Sequence, residues 1–188
     1  MRIITGALKG RKLLTPEDAA IRPTTDRTRE SIFNLLMHGQ FAGAHILDQR
    51  VADLCCGTGA LGLEALSRGA AWVTGVDSSK QALALAETNA KNLGVLAKTE
   101  WLKADITALP TAREPYALVM LDPPYDQPLL AMAHASLRQR GWLMEGSLLL
   151  AEQSAFADVY AHPSLNLLVD RRYGKKTRIC IWQVSALA

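Results

Sequence analysis

Short apolar runs alternate along this chain with segments of helical period, and the alternation predicts repeated strand–helix units. Residues 51–54, 71–76, 95–102, 116–121 and 146–152 are the strand-length runs. Residues 60–68, 78–92 and 128–139 lie between them, with apolar positions three and four apart, the spacing of one helix face. Gly69 and Gly94 stand where the first two helices should stop, and Ser78 or Ser79 where the second should start. Ahead of this series, residues 2–14 read as two short strands around a glycine-containing turn, and 14–20 as loop. The segment from Arg22 leads into a helix that runs to His38, capped by Thr25 or Asp26, with Ile32, Phe33, Leu35 and Leu36 on its apolar face. Behind the series, 166–173 and 177–184 read as an antiparallel pair closed by Gly174, Lys175 and Lys176. The stretch between 152 and 166 contains Pro163 and is too short to read as a further helix.

This order predicts an α/β fold, a doubly wound and mostly parallel sheet covered on both faces. Residues 1–20 form a small basic β-hairpin extension and 21–188 the main domain. Right-handed crossovers gather the carboxyl ends of parallel strands along one edge, where ligands bind. Asp53, Asp77, Asp105 and Asp122 all fall at such ends. Gly57 and Gly59 follow the first strand and open a helix, a turn in which backbone can approach a ligand closely. It is not a phosphate loop, because GxxxxGK[ST] is missing. Gly57, Gly59 and Gly62 do have the spacing of a dinucleotide turn, but Asp53 beneath it would repel a pyrophosphate and suits a cationic or zwitterionic ligand. Asp77 could accept two ribose hydroxyls or cap the next helix, and Asp105 could accept an adenine amine or be an ordinary loop residue.

Asp122-Pro123-Pro124-Tyr125 ends the fourth strand with acceptors and a ring. The Asp122 carboxylate and the Pro123 carbonyl could both accept from one exocyclic amine, and prolines stiffen the array while adding no donor. Accepting both hydrogens localises an amine lone pair otherwise delocalised into a planar base, and Tyr125 offers a face for stacking. The bland reading is a rigid strand exit with Tyr125 packed on the core.

Composition narrows the setting. Hydrophobic residues make up 49% of the 188, enough for a core, yet no apolar run reaches the ~20 residues of a membrane span. The first six residues lack the apolar stretch of a secretory leader. Cys55, Cys56 and Cys180 make neither a disulfide framework nor a zinc site, and His38, His45, His134 and His162 share no metal spacing, so we expect surface or boundary histidines, no metal and a cytoplasmic protein. Trp72, Trp101, Trp142 and Trp182 read as core or strand residues. The net charge of +3 is unevenly spread: residues 1–31 carry seven Lys/Arg against four Asp/Glu, and residues 171–188 five against none. Basic ends on an acidic body predict a face for a nucleic-acid backbone. Arg2, Lys9, Arg11 and Lys12 are the phosphate contacts expected on the first hairpin. Arg22, Arg27 and Arg29 could place backbone or close over the ligand edge, and Arg171, Arg172, Lys175, Lys176 and Arg178 cluster with Tyr173 at the last hairpin.

Four segments together are similar to one family: residues 2–12, 22–34 and 53–69, and Asp122-Pro123-Pro124-Tyr125. The chain resembles, over nearly its whole length, the bacterial 16S ribosomal RNA guanine-N2 methyltransferases. The glycine turn alone would mark only the methyltransferase superfamily; Arg22-Pro23-Thr24-Thr25-Asp26-Arg27 beside Asp122-Pro123-Pro124-Tyr125 is far more specific. The resemblance implies a seven-stranded class I methyltransferase sheet and a monomer that uses S-adenosylmethionine. It implies cofactor binding at Asp53, Gly57, Gly59, Asp77, Ser78, Asp105 and Ile106, and target-base binding at Asp122, Pro123 and Tyr125. It implies RNA contacts from Arg2, Lys9, Arg11, Lys12, Arg22, Thr24, Arg27 and Arg172. The implied substrate is 16S rRNA in the assembled small subunit or a late assembly particle. Asp-Pro-Pro-[Tyr/Phe] also serves adenine-N6 methylation of DNA, and a non-catalytic RNA-binding module is the other alternative. Arg172-Tyr173-Gly174-Lys175-Lys176-Thr177 is one residue longer than the family's Tyr-Gly-x-Thr pattern.

Overall fold

The computed structural model describes residues 1–16, 26–123 and 127–186, without the side chains of residues 127 and 128. Its elements are α1 (Asp26–Met37), β1 (Arg50–Leu54), α2 (Ala60–Ser67), β2 (Trp72–Asp77), α3 (Lys80–Leu93), β3 (Thr99–Lys103), β4 (Tyr116–Leu121), α4 (Gln127–Gln139), β5 (Leu143–Ser154), β6 (Leu165–Tyr173) and β7 (Thr177–Val184). They build one seven-stranded sheet in the order β3-β2-β1-β4-β5-β7-β6. β1 to β5 pair in parallel, and β7 runs antiparallel between β5 and β6. The order reverses between β1 and β4, which puts the topological switch point beside Leu54 and Leu121.

The central strands are apolar on both faces because helices cover both. Every residue of β4 is buried. Ala52, Leu54, Val119 and Leu121 face one core cluster, with Leu130, Ala133 and Leu137 of α4. Val51, Leu118 and Met120 face the other, with Ile32, Phe33 and Leu36 of α1 and Leu63 and Leu66 of α2. α3 follows the expected chemistry at both ends: Ser79 Oγ accepts from the Ala82 N–H, and Gly94 closes it at φ 77°.

Three elements differ from expectation. Residues 95–102 are not one strand: Leu96–Lys98 forms a 3₁₀ turn, and pairing starts only at Thr99. α3 ends at Leu93, two residues before Val95, and the chain needs that turn to reach the sheet edge. β5 starts at Leu143 rather than 146, with a register shift opposite Tyr116 and Leu118 and Gly146 at φ 84°. The first hairpin has only one bridge, Arg2 to Lys12, and is held largely from outside.

That outside hold comes from buried charges. The Glu64 carboxylate of α2, fully buried, accepts from the Ile4 N–H at 2.8 Å and the Thr5 N–H at 3.0 Å. Arg68 Nε donates to it at 2.8 Å, and the Arg68 guanidinium lies over the Phe33 ring. Ser67 Oγ accepts from the Leu8 N–H and donates to the Thr5 carbonyl. Arg29, expected near the ligand edge, is buried instead; its Nη2 donates to the Arg2 carbonyl at 2.6 Å and to Asp26 at 3.0 Å. Ile3 and Leu13 thereby enter the same core as α1 and α2. Replacing Glu64 by Ala strands Arg68 and two amides, and should cost ~3–5 kcal/mol, the usual result of removing one partner of a buried pair. Urea unfolding measures this, and a loss below ~1 kcal/mol, the scale of an exposed pair, would remove Glu64 as the anchor.

Candidate active site at the carboxyl edge

The chain leaves β1 through a sharply bent loop. Cys55 takes φ 59° although it is not glycine, Gly57 takes φ 52° and Gly59 φ 74°. A Cβ on Gly59 would stand 2.7 Å from the Trp101 ring, so both its conformation and its neighbour require glycine there. Gly57 is different: the space where its Cβ would stand is open, which leaves backbone facing the site.

Two carboxylates hold this loop. Asp53, 1% exposed, accepts from the Gly62 N–H at 2.8 Å and so satisfies a first-turn amide of α2, whose N-cap Gly59 has no side chain to do so. Asp77 reaches across from β2: one oxygen accepts from the Gly57 N–H and the other from the Ser79 N–H, both at 2.9 Å. A carboxylate offers about four lone-pair sites, so Asp77 keeps acceptor capacity for a ligand. Asp105 is exposed; its Oδ1 accepts from the Thr107 N–H at 2.8 Å and hydroxyl at 2.7 Å, and those bonds hold its carboxyl below the usual range. Asp122 follows β4, half-buried, and its N–H reaches the Leu54 carbonyl at 3.4 Å. Pro123 is buried.

The charges of all four carboxylates act on one thiol. Burial pushes the Cys55 thiol up to about 12, and the charges of Asp77, Asp122, Asp53 and Asp105 push it in the same direction. Burial likewise raises Cys56, so neither cysteine is a ready thiolate. Ser78 is exposed beside Asp77, whereas the Ile106 side chain is packed in the core. The cup is rich in acceptors and negative potential. That acceptor set fits S-adenosylmethionine, whose ammonium and sulfonium are cationic and whose adenosine presents hydroxyls and an amine.

The expected RNA contacts scatter more widely. Arg2, Lys9, Lys12 and Arg27 are exposed. Arg11 is exposed but already donates to the Asn92 carbonyl at 2.6 Å. Arg172 lies in an open concavity of about 890 Å³ between α1 and the end of β6, with Ser31, Asn34, His38, Arg171 and Tyr173. Arg178 leaves the basic cluster: it is buried, donates to the Ala157 carbonyl at 2.7 Å and pairs with Asp170. His134, expected at a surface or boundary, is buried, with Nδ1 3.0 Å from the Tyr160 hydroxyl. Arg22, Thr24 and Tyr125 lie outside the described residues. No group of three or more His, Cys, Asp or Glu among the described residues could hold a metal ion, and no helix among them is long and apolar enough to cross a membrane.

Burial, and then the Asp122 and Asp77 charges, raise the Asp53 carboxyl from 3.8 to about 8 against the opposing pull of the Gly62 bond. A carboxyl raised on folding holds its proton more tightly in the folded state. Its contribution is complete below about 4 and is lost as pH rises toward 8. Asp53→Asn keeps an acceptor for Gly62 and removes the titration, so it should flatten the fall in stability across that window, by at most ~1.4 kcal/mol per pH unit. Urea unfolding of both proteins at pH 5 and pH 8 measures it, and parallel slopes would assign the dependence to other groups.

Residues 1–183 match the family described as Conserved hypothetical protein 95. The chain is 36% identical over 155 residues to ribosomal RNA small subunit methyltransferase D of Escherichia coli K12, covering 81% of this chain and 74% of that one. It is 31% identical over 182 residues to the protein of that name from Haemophilus influenzae, covering 93% and 89%. The solved structure of Escherichia coli yhhF is 30% identical with a TM-score of 0.84 over 100% of this chain and 99% of that one. With its sheet order, its glycine loop and this match along nearly all its length, the chain belongs to the Conserved hypothetical protein 95 family, together with the ribosomal RNA small subunit methyltransferase D proteins.

Proposed function

We propose that Asp122, Pro123 and Tyr125 hold the target base of an S-adenosylmethionine-dependent ribosomal RNA methyltransferase. The enzyme transfers a methyl group to the exocyclic N2 amine of a guanine in 16S rRNA. The observation that carries this reading is the placement of Asp53, Asp77, Asp105 and Asp122 at or just past the carboxyl ends of the neighbouring strands β1 to β4, with Asp53 and Asp77 bonded to the glycine loop.

When bound, S-adenosylmethionine supplies an electrophilic methyl group on a sulfonium. Asp77 accepts the ribose hydroxyls and Asp105 the adenine amine, with Ser78 and the backbone beside Ile106 lining the same cleft. Gly57 and Gly59 let backbone pass close to the ligand, and Asp53 fixes that loop from below. The guanine flips out of its helix to reach the edge. The Asp122 carboxylate and the Pro123 carbonyl accept its two amine hydrogens, which localises the nitrogen lone pair and aims it. Tyr125 stacks on the base. Asp122, half in solvent, takes the proton that the methylated amine sheds and passes it to water. No covalent enzyme intermediate is needed.

Arg2, Lys9, Arg11, Lys12, Arg22, Thr24, Arg27 and Arg172 contact the RNA backbone, and Arg11 does so while braced against α3. The substrate is 16S rRNA within the small subunit or a late assembly particle, and the enzyme works in the cytoplasm as a monomer with no metal. The motif would equally serve DNA adenine, but the relatives' names favour ribosomal RNA.

A labelled-methyl assay on undermethylated small subunits, followed by mapping of the modified nucleotide, tests base and substrate together. Label on another base or on DNA alone would overturn the reading. Asp122→Ala should lower turnover ~10²–10³-fold, as loss of one preorganised transition-state contact does, while cofactor affinity holds. Asp77→Ala should do the reverse and weaken cofactor binding ~10-fold or more, the range for a hydrogen bond to a charged group. Exchanged phenotypes would sink the two assignments. Lys9→Glu with Lys12→Glu should weaken subunit binding and shallow its salt slope by ~0.7–0.9 per lost phosphate contact. An unchanged slope would remove the hairpin from the RNA interface.

A further inference from the structure

Phe156 is 82% exposed, the most exposed of the large hydrophobic side chains among the described residues. It sits on the turn after β5, at the edge that carries Asp122. β5 pairs Ala151 with Leu121 of β4, then continues through Ser154, paired only with β7. Those three further residues, at ~3.3 Å each, carry β5 about 10 Å beyond the end of β4, one strand spacing to the side. Phe156 therefore follows a strand that runs on past the proposed target-base site of the neighbouring strand.

The turn is fixed at several points. The Ala155 N–H donates to the Lys176 carbonyl at 2.8 Å, and Ala155 is buried. Ser154 accepts twice, through its hydroxyl from the Phe156 N–H at 3.3 Å and through its carbonyl from the Ala157 N–H at 3.2 Å. Arg178 Nη1 donates to the Ala157 carbonyl at 2.7 Å. A ring so displayed forgoes burial while its backbone is held in place. The same bonds set it next to the β6–β7 tip, where Lys175 and Lys176 are exposed. Asp170 is paired with Arg178, and Glu152 of β5 is engaged by the Thr177 hydroxyl. An exposed aromatic beside free cations is the chemistry of a single-stranded nucleic-acid track.

We propose that Phe156, flanked by Lys175 and Lys176, is a stacking platform for an unpaired base of the RNA strand that flanks the methylated guanine. The inference rests on the rRNA reading above, and places a substrate-positioning residue where the motifs name none. A single-stranded RNA oligonucleotide, titrated by fluorescence anisotropy, tests it beside the KM for undermethylated small subunits. Phe156→Ala should weaken both about tenfold, the order of one base–aromatic stack, with kcat and thermal midpoint unchanged. Phe156→Trp should restore both. Equal oligonucleotide affinities for wild type and Phe156→Ala would overturn the platform. So would a loss seen on subunits but not on the oligonucleotide, which would assign Phe156 to a ribosomal protein. Wild-type protein that binds the oligonucleotide with a Phe156-dependent affinity, yet methylates no subunit, would support the platform and count against the enzyme reading.

Discussion

The hydrogen bond from the Gly62 amide to the buried Asp53 carboxylate ties the end of β1 to the first turn of α2. A helix start without a side-chain cap leaves amides in need of acceptors. Here the acceptor comes from the strand that precedes the helix, so the intervening loop must fold back on itself. Cys55, Gly57 and Gly59 take left-handed conformations in that short span, and Trp101 closes over Gly59 from β3. The loop's other anchor is Asp77, one strand over, which accepts from Gly57 and from the start of α3. The two carboxylates thus shape the ligand-facing backbone before any ligand arrives.

Gathering acids this way works against folding. Burial first, and then repulsion from Asp122 and Asp77, makes Asp53 hold its proton toward neutral pH. Such a cluster is sensible chemistry for a cationic ligand, which relieves the repulsion on entering. Burial, reinforced by the same field, holds the neighbouring cysteines as thiols, so the loop that approaches the ligand carries no competing nucleophile.

A second set of buried charges organises the outer face. Glu64 and Arg29 use their side chains on the backbone of the first hairpin, and Arg68 pairs with Glu64 behind it. Their charges are spent inside, while Lys9 and Lys12 remain on the surface. Arg178 makes the same division at the other end of the chain: it braces the loop of Phe156, and Lys175 and Lys176 stay outside. The protein therefore separates cations that build from cations that can meet a polyanion.

The sequence by itself determined the strand–helix alternation, the parallel sheet and the edge where its aspartates collect, because periodicity and turn residues are local properties. Val51 to Leu54, the capped start of α3 and the last hairpin could all be read that way. Burial of charge could not. Arg29 and Arg178 look like surface cations until a carbonyl from a distant segment satisfies each, and His134 looks peripheral until Tyr160 reaches it. The double duty of Asp53 and Asp77, as braces of the loop as well as candidate ligands, also depended on which amides the fold brings within reach. Phe156 had no signal at all, since a lone aromatic in a loop gains meaning only from its exposure and its place past the end of β4. Tertiary structure decided these points because solvation of a side chain is set by residues far away in sequence.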